Sequence, residues 1–142
     1  MRITDEDRQA RQDARLGGRR AAEQTALYYH DDQARVGELR PFLERRFAAL
    51  LVADHDFAAL ALLHRHMPDL VVADLTFCTA HDLLLFQALR RIDADIPLLI
   101  ATPDGAGHER LPGLEPGPTF YLERPIDLGH LEALLLRAET VS

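Results

Sequence analysis

Lysine is absent: all 16 basic residues of the chain are arginine. Cysteine occurs once, as Cys78, which excludes a disulfide framework, a cysteine zinc cluster and a redox pair, and makes a reducing cytoplasm the expected setting. No apolar run approaches the roughly 18 residues that a membrane-spanning helix needs. The N-terminus carries Asp5, Glu6 and Asp7 where a secretory signal would be apolar, so the expectation is a chain neither exported nor embedded. Positive charge is also scarce, since 16 basic residues face 23 acidic ones and leave a net charge of -7. That balance argues against a general binder of nucleic acid or anionic membranes, both of which need positive potential. What remains is 142 residues at 47% hydrophobic and 27% charged, enough for one domain to bury a core without metal or disulfide support.

The chain divides unevenly. Residues 1–24 contain no aromatic residue, mix arginines with acids, and end near Gly17, Gly18, Arg19 and Arg20. Thr4 and Asp7 form a capping pattern for a short helix ending at Gly17, with Arg8, Arg11 and Arg15 at helical spacing. An isolated helix of about a dozen residues is marginal in water, so this segment is expected to be a flexible charged tail. A tail docking an acidic partner or nucleic acid is the less favoured reading.

Residues 25–142 read as the domain. Short apolar runs alternate there with helix-period segments, the pattern of strands joined by crossover helices in a parallel sheet. Five strands are expected: 26–30, 48–53, 69–74, 96–102 and 119–123. Between them, Val36, Leu39, Phe42 and Leu43 mark one helix, with Pro41 awkwardly inside it. Phe57, Leu60, Ala61, Leu63 and His64 mark a second. Leu83, Leu84, Phe86, Gln87, Leu89 and Arg90 mark a third, and residues 128–138 form the last. Asp69 to Asp74 is a continuous apolar stretch closed by an acid, typical of a strand buried on both faces. The connection between strands four and five holds Pro103, Gly105, Gly107, Pro112, Gly113, Pro116, Gly117 and Pro118, so the helix there should be irregular or shortened. The fold class is therefore α/β, a doubly wound five-stranded parallel sheet, for which the common strand order 2-1-3-4-5 is expected.

In such sheets ligands bind beyond the carboxyl ends of the strands, where strand order reverses. Here those ends are polar: Asp31-Asp32, Asp74, Thr102 and Arg124-Pro125. Strands one and three lie side by side in the expected order, which gathers three carboxylates at one edge. Their repulsion is relieved by a hard cation such as Mg²⁺ or by protonation of one of them. Taken singly, Asp32 or Asp74 would more ordinarily cap the helix that follows. As a set, the polar termini point to a site.

At residues 25–139 the chain resembles the receiver domain of two-component response regulators, a flavodoxin-like fold. The family carries an acidic pair after strand one, an acceptor aspartate after strand three, Thr or Ser after strand four, and Lys-Pro after strand five with an aromatic three residues earlier. This chain offers Asp31-Asp32, Asp74, Thr102, Arg124-Pro125 and Tyr121. The intervals also suit, with 42 residues from Asp32 to Asp74, 28 to Thr102 and 22 to Arg124. The resemblance implies that Asp74 accepts a phosphoryl group from a histidine kinase, a phosphotransfer protein or a small phosphodonor. Asp31, Asp32, Asp74 and the backbone carbonyl of Thr76 would hold Mg²⁺. Thr102 and Arg124 would bind phosphoryl oxygens, and Thr102 with Tyr121 would relay the switch to a protein-contact surface. Beyond self-phosphorylation and self-dephosphorylation no enzyme activity is implied. With no output module expected after Ser142, the reading is a stand-alone response regulator of the cytoplasm, with a homodimer through the leucine-rich last helix as a possibility.

The chain departs from the family pattern in four places. Arg124 replaces lysine, Pro103 replaces a residue whose amide would donate to the phosphoryl group, Leu75-Thr76-Phe77-Cys78 replaces a Met-Pro pattern after the acceptor, and the fourth connection is rich in Pro and Gly. These define the alternative, a pseudo-receiver that binds partners independently of phosphate. Asp74-Leu75-Thr76 also resembles haloacid-dehalogenase phosphatases, but Thr76 stands where their second aspartate is required. His55, His64, His66 and His81 read as surface residues rather than a metal site, and Cys78 as an inert thiol among acids.

Overall fold

The computed structural model describes residues 23–30, 36–75, 80–102, 117–123 and 126–140, with residues 36–38, 102 and 140 described by backbone alone. The elements are β1 (Thr25–His30), α1 (Val36–Arg46), β2 (Ala49–Ala53), α2 (Asp56–His66), β3 (Leu70–Asp74), α3 (Ala80–Ile92), β4 (Leu98–Thr102), β5 (Thr119–Glu123) and α4 (Leu128–Thr140). The strands form one sheet, β2-β1-β3-β4-β5, with every pairing parallel. This is the doubly wound order expected from the sequence. Residues 1–22 of the tail expected at 1–24, residues 103–116 of the fourth connection and the neighbourhood of Cys78 lie outside the described residues.

Alternation along each strand sorts the core into two layers. Ala26, Tyr28, Leu70, Val72, Leu99, Ala101 and Leu122 face α1 and α4, where they meet Leu39, Leu43, Leu131, Leu134 and Leu135. Leu27, Tyr29, Val71, Ala73, Leu98 and Ile100 face α2 and α3 and meet Ala59, Leu63, Leu85, Phe86 and Leu89. All five residues of β3 are buried, as its uninterrupted apolar run requires of a central strand.

Expected and observed boundaries differ where the backbone decides. Ile96 and Pro97 are buried but precede β4, because Pro97 has no N–H for the ladder and serves only as an acceptor, from Val71 N at 3.0 Å. Asp69 likewise precedes β3. Its N–H donates to the Thr25 carbonyl at 2.7 Å and its Oδ2 accepts from the Thr25 N–H at 2.9 Å. Gln24, beside the expected start of the domain, is buried and its carbonyl accepts from Ala48 N at 2.9 Å.

The helices show what periodicity leaves open. On α2 the buried stripe is Ala59 and Leu63, four apart, whereas Phe57 is 78% exposed. Two residues of helix rotate Phe57 by roughly 200° from Ala59, which turns it away from the sheet. Leu84 on α3 is also exposed, outside the Leu85, Phe86 and Leu89 stripe. His55 caps α2, its Nδ1 accepting from Ala58 N at 3.2 Å. At the other end Met67 takes the left-handed conformation, φ 49°, and its N–H donates to the Leu63 carbonyl, with Pro68 preventing continuation. His66 and His81 are exposed, and His81 pairs with Asp56 at 3.1 Å. No helix among the described residues is long and apolar enough to cross a membrane.

Two arginines join elements. Arg46 at the end of α1 donates to Glu132 and, at 2.8 Å, to Glu139 of α4. Arg90, 2% exposed, lies under the amino ends of β4 and β5 and donates to the carbonyls of Ile96 and Pro118.

Candidate functional site

Strand register sets the site. His30 is the Cα partner of Asp74 on β3, Asp74 is the partner of Ala101 on β4, and Thr102 is the partner of Glu123 on β5. The acidic pair Asp31-Asp32 follows directly on His30, and Arg124 follows directly on Glu123. The carboxyl ends of β1, β3, β4 and β5 thus lie level at one edge of the sheet. The reversal of strand order falls between β1 and β3, where ligands of open α/β sheets bind.

Asp74 is the last residue of β3 and is fully buried. Its Oδ2 accepts a 2.5 Å hydrogen bond from the Tyr28 hydroxyl, and its Oδ1 is also shielded from solvent. The Leu75 N–H donates to the Ala101 carbonyl at 3.0 Å, so the chain leaving Asp74 stays bound to β4 for one further residue. A carboxylate at the end of a central strand has little freedom besides its own two side-chain torsions.

Of the other expected site residues, Thr102 ends β4 and Tyr121 is half-buried on β5, where it packs against the α2/α3 layer and is the partner of Ile100. Asp31, Asp32, Thr76 and Arg124 lie outside the described residues, as does Pro103. Among the described residues there is no group of three or more metal-ligating side chains. The donor set of the sequence, three carboxylates and one carbonyl, is all oxygen and suits a hard divalent cation of the Mg²⁺ kind. Of that set the one described side chain is Asp74, at the end of β3.

Tyr28 is the residue that the sequence reading missed. It was counted only as part of an apolar strand. A signal was present: a tyrosine in a strand buried on both faces must find a partner for its hydroxyl. The ring of His30 lies 5.6 Å from that of Tyr28, tilted by 30°, so two polar-tipped aromatics sit side by side below the strand ends.

The comparisons bear on the whole arrangement. No protein-family model matches the chain. Among curated proteins it is similar to the probable transcriptional regulator ycf27 of Guillardia theta, at 32% identity over 107 residues, covering 72% of this chain and 41% of that protein. It is equally similar to the response regulator MprA of Mycobacterium sp. (strain KMS), at 32% identity over 107 residues, covering 75% of this chain and 46% of that protein. The N-terminal signal receiver domain of a two-component response regulator from Bacteroides fragilis shares the fold, with a TM-score of 0.67 at 18% identity, covering 83% of this chain and 99% of that one.

The chain belongs to the receiver-domain family of response regulators. It spans less than half the length of the two curated relatives just named. The acidic pair Asp31-Asp32 after β1, Asp74 at the end of β3 and Thr102 at the end of β4 are among the positions that the family resemblance singles out.

Proposed function

We propose that this receiver domain accepts a phosphoryl group on Asp74 and passes the change to a protein partner by contact. The observation that carries the reading is the placement of Asp74. It is the only carboxylate at the end of the central strand, and it lies one residue step from both the acidic pair after β1 and Thr102 at the end of β4. In the step envisaged, one Asp74 oxygen attacks phosphorus and the bond from phosphorus to the donor's leaving group breaks. The leaving group, a histidine nitrogen of a kinase or phosphotransfer protein or the acid of a small acyl phosphate, departs with the electron pair. Asp31, Asp32, Asp74 and the Thr76 carbonyl would hold Mg²⁺, which offsets the charge of the phosphoryl oxygens and their repulsion from the carboxylates. Thr102 and Arg124 would bind the transferred group through a hydroxyl and a guanidinium. The acyl phosphate carries close to two negative charges where the carboxylate carried one, and this gain at the strand end biases an existing conformational equilibrium, with Thr102 and Tyr121 as the relay.

A second reading is favoured by a specific observation: the Asp74 carboxylate is fully buried and already engaged by Tyr28. Together with Arg124 and Pro103 it supports a partner-binding module that works without phosphate. One experiment separates the two. Intact mass is measured after brief incubation of wild type and Asp74→Ala with Mg²⁺ and acetyl phosphate. A single phosphate adduct on wild type alone supports the phosphoacceptor. Its absence, together with absence of Mg²⁺ binding by calorimetry, supports the phosphate-independent module.

A further inference from the structure

We propose that Tyr28 is a latch on Asp74: its hydroxyl holds Oδ2 in a closed resting state, and Asp74 must leave that hydroxyl before it can take a phosphoryl group. The inference rests on the reading of Asp74 as the phosphoacceptor and adds to it a positioning residue in β1.

Three observations support it. The contact is short, 2.5 Å from a neutral hydroxyl to a carboxylate oxygen, within the range of charge-assisted O–H···O bonds, which are about twice as strong as neutral ones. Asp74 is fully buried, whereas a nucleophilic carboxylate must be reached by its donor; the structure therefore shows the side chain turned inward. The two oxygens of an accepting carboxylate also have different work, one attacking phosphorus and the other facing the cation, so a donor fixed on one of them competes with that work.

Which partner moves follows from packing. Tyr28 is fully buried in the layer formed with Leu39, Leu43, Val72 and Ala101, and the His30 ring flanks it. Displacing a ring from such a layer would open a cavity. Asp74, at the very end of β3, needs only a change of its own torsions. Release is therefore a rotation of Asp74 away from a stationary phenol. The phenol keeps its proton throughout, and no covalent bond is made or broken.

Tyr28→Phe keeps the ring and removes the donor. The expected result is Mg²⁺-dependent phosphorylation by acetyl phosphate that is roughly tenfold to a hundredfold faster than in wild type, the fold-change that corresponds to one hydrogen bond to a charged acceptor. Mg²⁺ binding should tighten in the same direction, while the melting temperature falls because a buried carboxylate has lost a donor. A merely structural role would lower rate and stability together. A rate equal to or below that of wild type overturns the latch while leaving the phosphoacceptor intact. If neither protein takes up phosphate and neither binds Mg²⁺, the phosphoacceptor reading falls and the latch falls with it.

A second readout needs no substitution at Tyr28 and decides the matter even if Tyr28→Phe does not fold. The chain has three tyrosines and no tryptophan, so tyrosine emission is observable directly. A phenol bonded to a carboxylate emits differently from one released from it. Saturating the unphosphorylated protein with Mg²⁺ should change the emission, and Tyr121→Phe should retain the change. An emission unaltered by bound Mg²⁺ overturns the proposal.

Discussion

Arg90 Nη2 donates to the carbonyl of Pro118 at 2.7 Å, tying the last turn of α3 to the start of β5. The same nitrogen donates to Thr119 Oγ1 at 3.0 Å, and Nη1 donates to the carbonyls of Ile96 and Ala94. One buried guanidinium thus satisfies carbonyls of the segments that lead into β4 and into β5, which keeps the two strands level at their amino ends and so sets the register that pairs Thr102 with Glu123.

Replacing Arg90 with methionine should therefore cost about 3 kcal/mol or more, because buried carbonyls lose charged donors and gain nothing. Lysine should recover only part of that, since its single ammonium cannot reach carbonyls on two sides as a planar fork does. Urea midpoints for the two variants check the order. Gly117 supplies a coupled test. A Cβ there would stand 2.6 Å from Arg90 Cζ and 2.7 Å from Nε, so Gly117→Ala should destabilise wild type by about 1–3 kcal/mol through overpacking. It should be nearly silent on the methionine background, the non-additivity expected of residues in contact.

The strand runs are legible because each is apolar and bounded by turn residues; alternation with helices makes the sheet parallel, and the order comes from the common doubly wound arrangement that the family resemblance implies. Thr119 to Glu123 is observed with the expected limits. Arg90 was read as one more position on a helix face, and nothing local distinguishes it. Arginine is usually exposed, and its acceptors come from the turn after α3 and from residues 28 and 29 positions further along. The same reason hid Tyr28, whose acceptor lies 46 residues away and is reached only once β1 and β3 pair in register. Phe57 failed differently. It has the hydrophobicity of a core residue, but its angular position on α2 opposes Ala59, and only the docked helix shows which stripe faces the sheet.

Arg46 gives a stability prediction in which exposure outweighs contact. It is 13% exposed and meets Glu132, which is 40% exposed, and Glu139, which is 18% exposed, linking the ends of α1 and α4 while its guanidinium lies 5.9 Å from the Phe47 ring centre. Solvent screening should leave the Glu132 pair worth only a few tenths of a kcal/mol, whereas the more sheltered Glu139 pair should be worth about 1 kcal/mol. Denaturation of Glu132→Gln and Glu139→Gln at low and high salt measures both. The Glu139 variant should be the less stable, and its deficit should shrink less as salt rises.

Pro103 yields the prediction closest to the proposed chemistry. It directly follows Thr102, the last residue of β4, and proline carries no backbone N–H. The family resemblance implies that a backbone amide at this position donates to a phosphoryl group carried by the acceptor aspartate. Pro103→Ala restores an N–H without adding a reactive side chain. By analogy with oxyanion donors, where one group is worth roughly a hundredfold in rate, the substitution should speed adduct formation on Asp74 by one to two orders of magnitude. Arg124→Lys should act in the same direction, because a compact ammonium approaches a phosphoryl oxygen beside a cation more closely than a planar guanidinium. Both rates are read from the mass of the adduct at short times. The double variant should exceed either single one if amide and ammonium act on different oxygens, and should match the better single variant if they serve the same one.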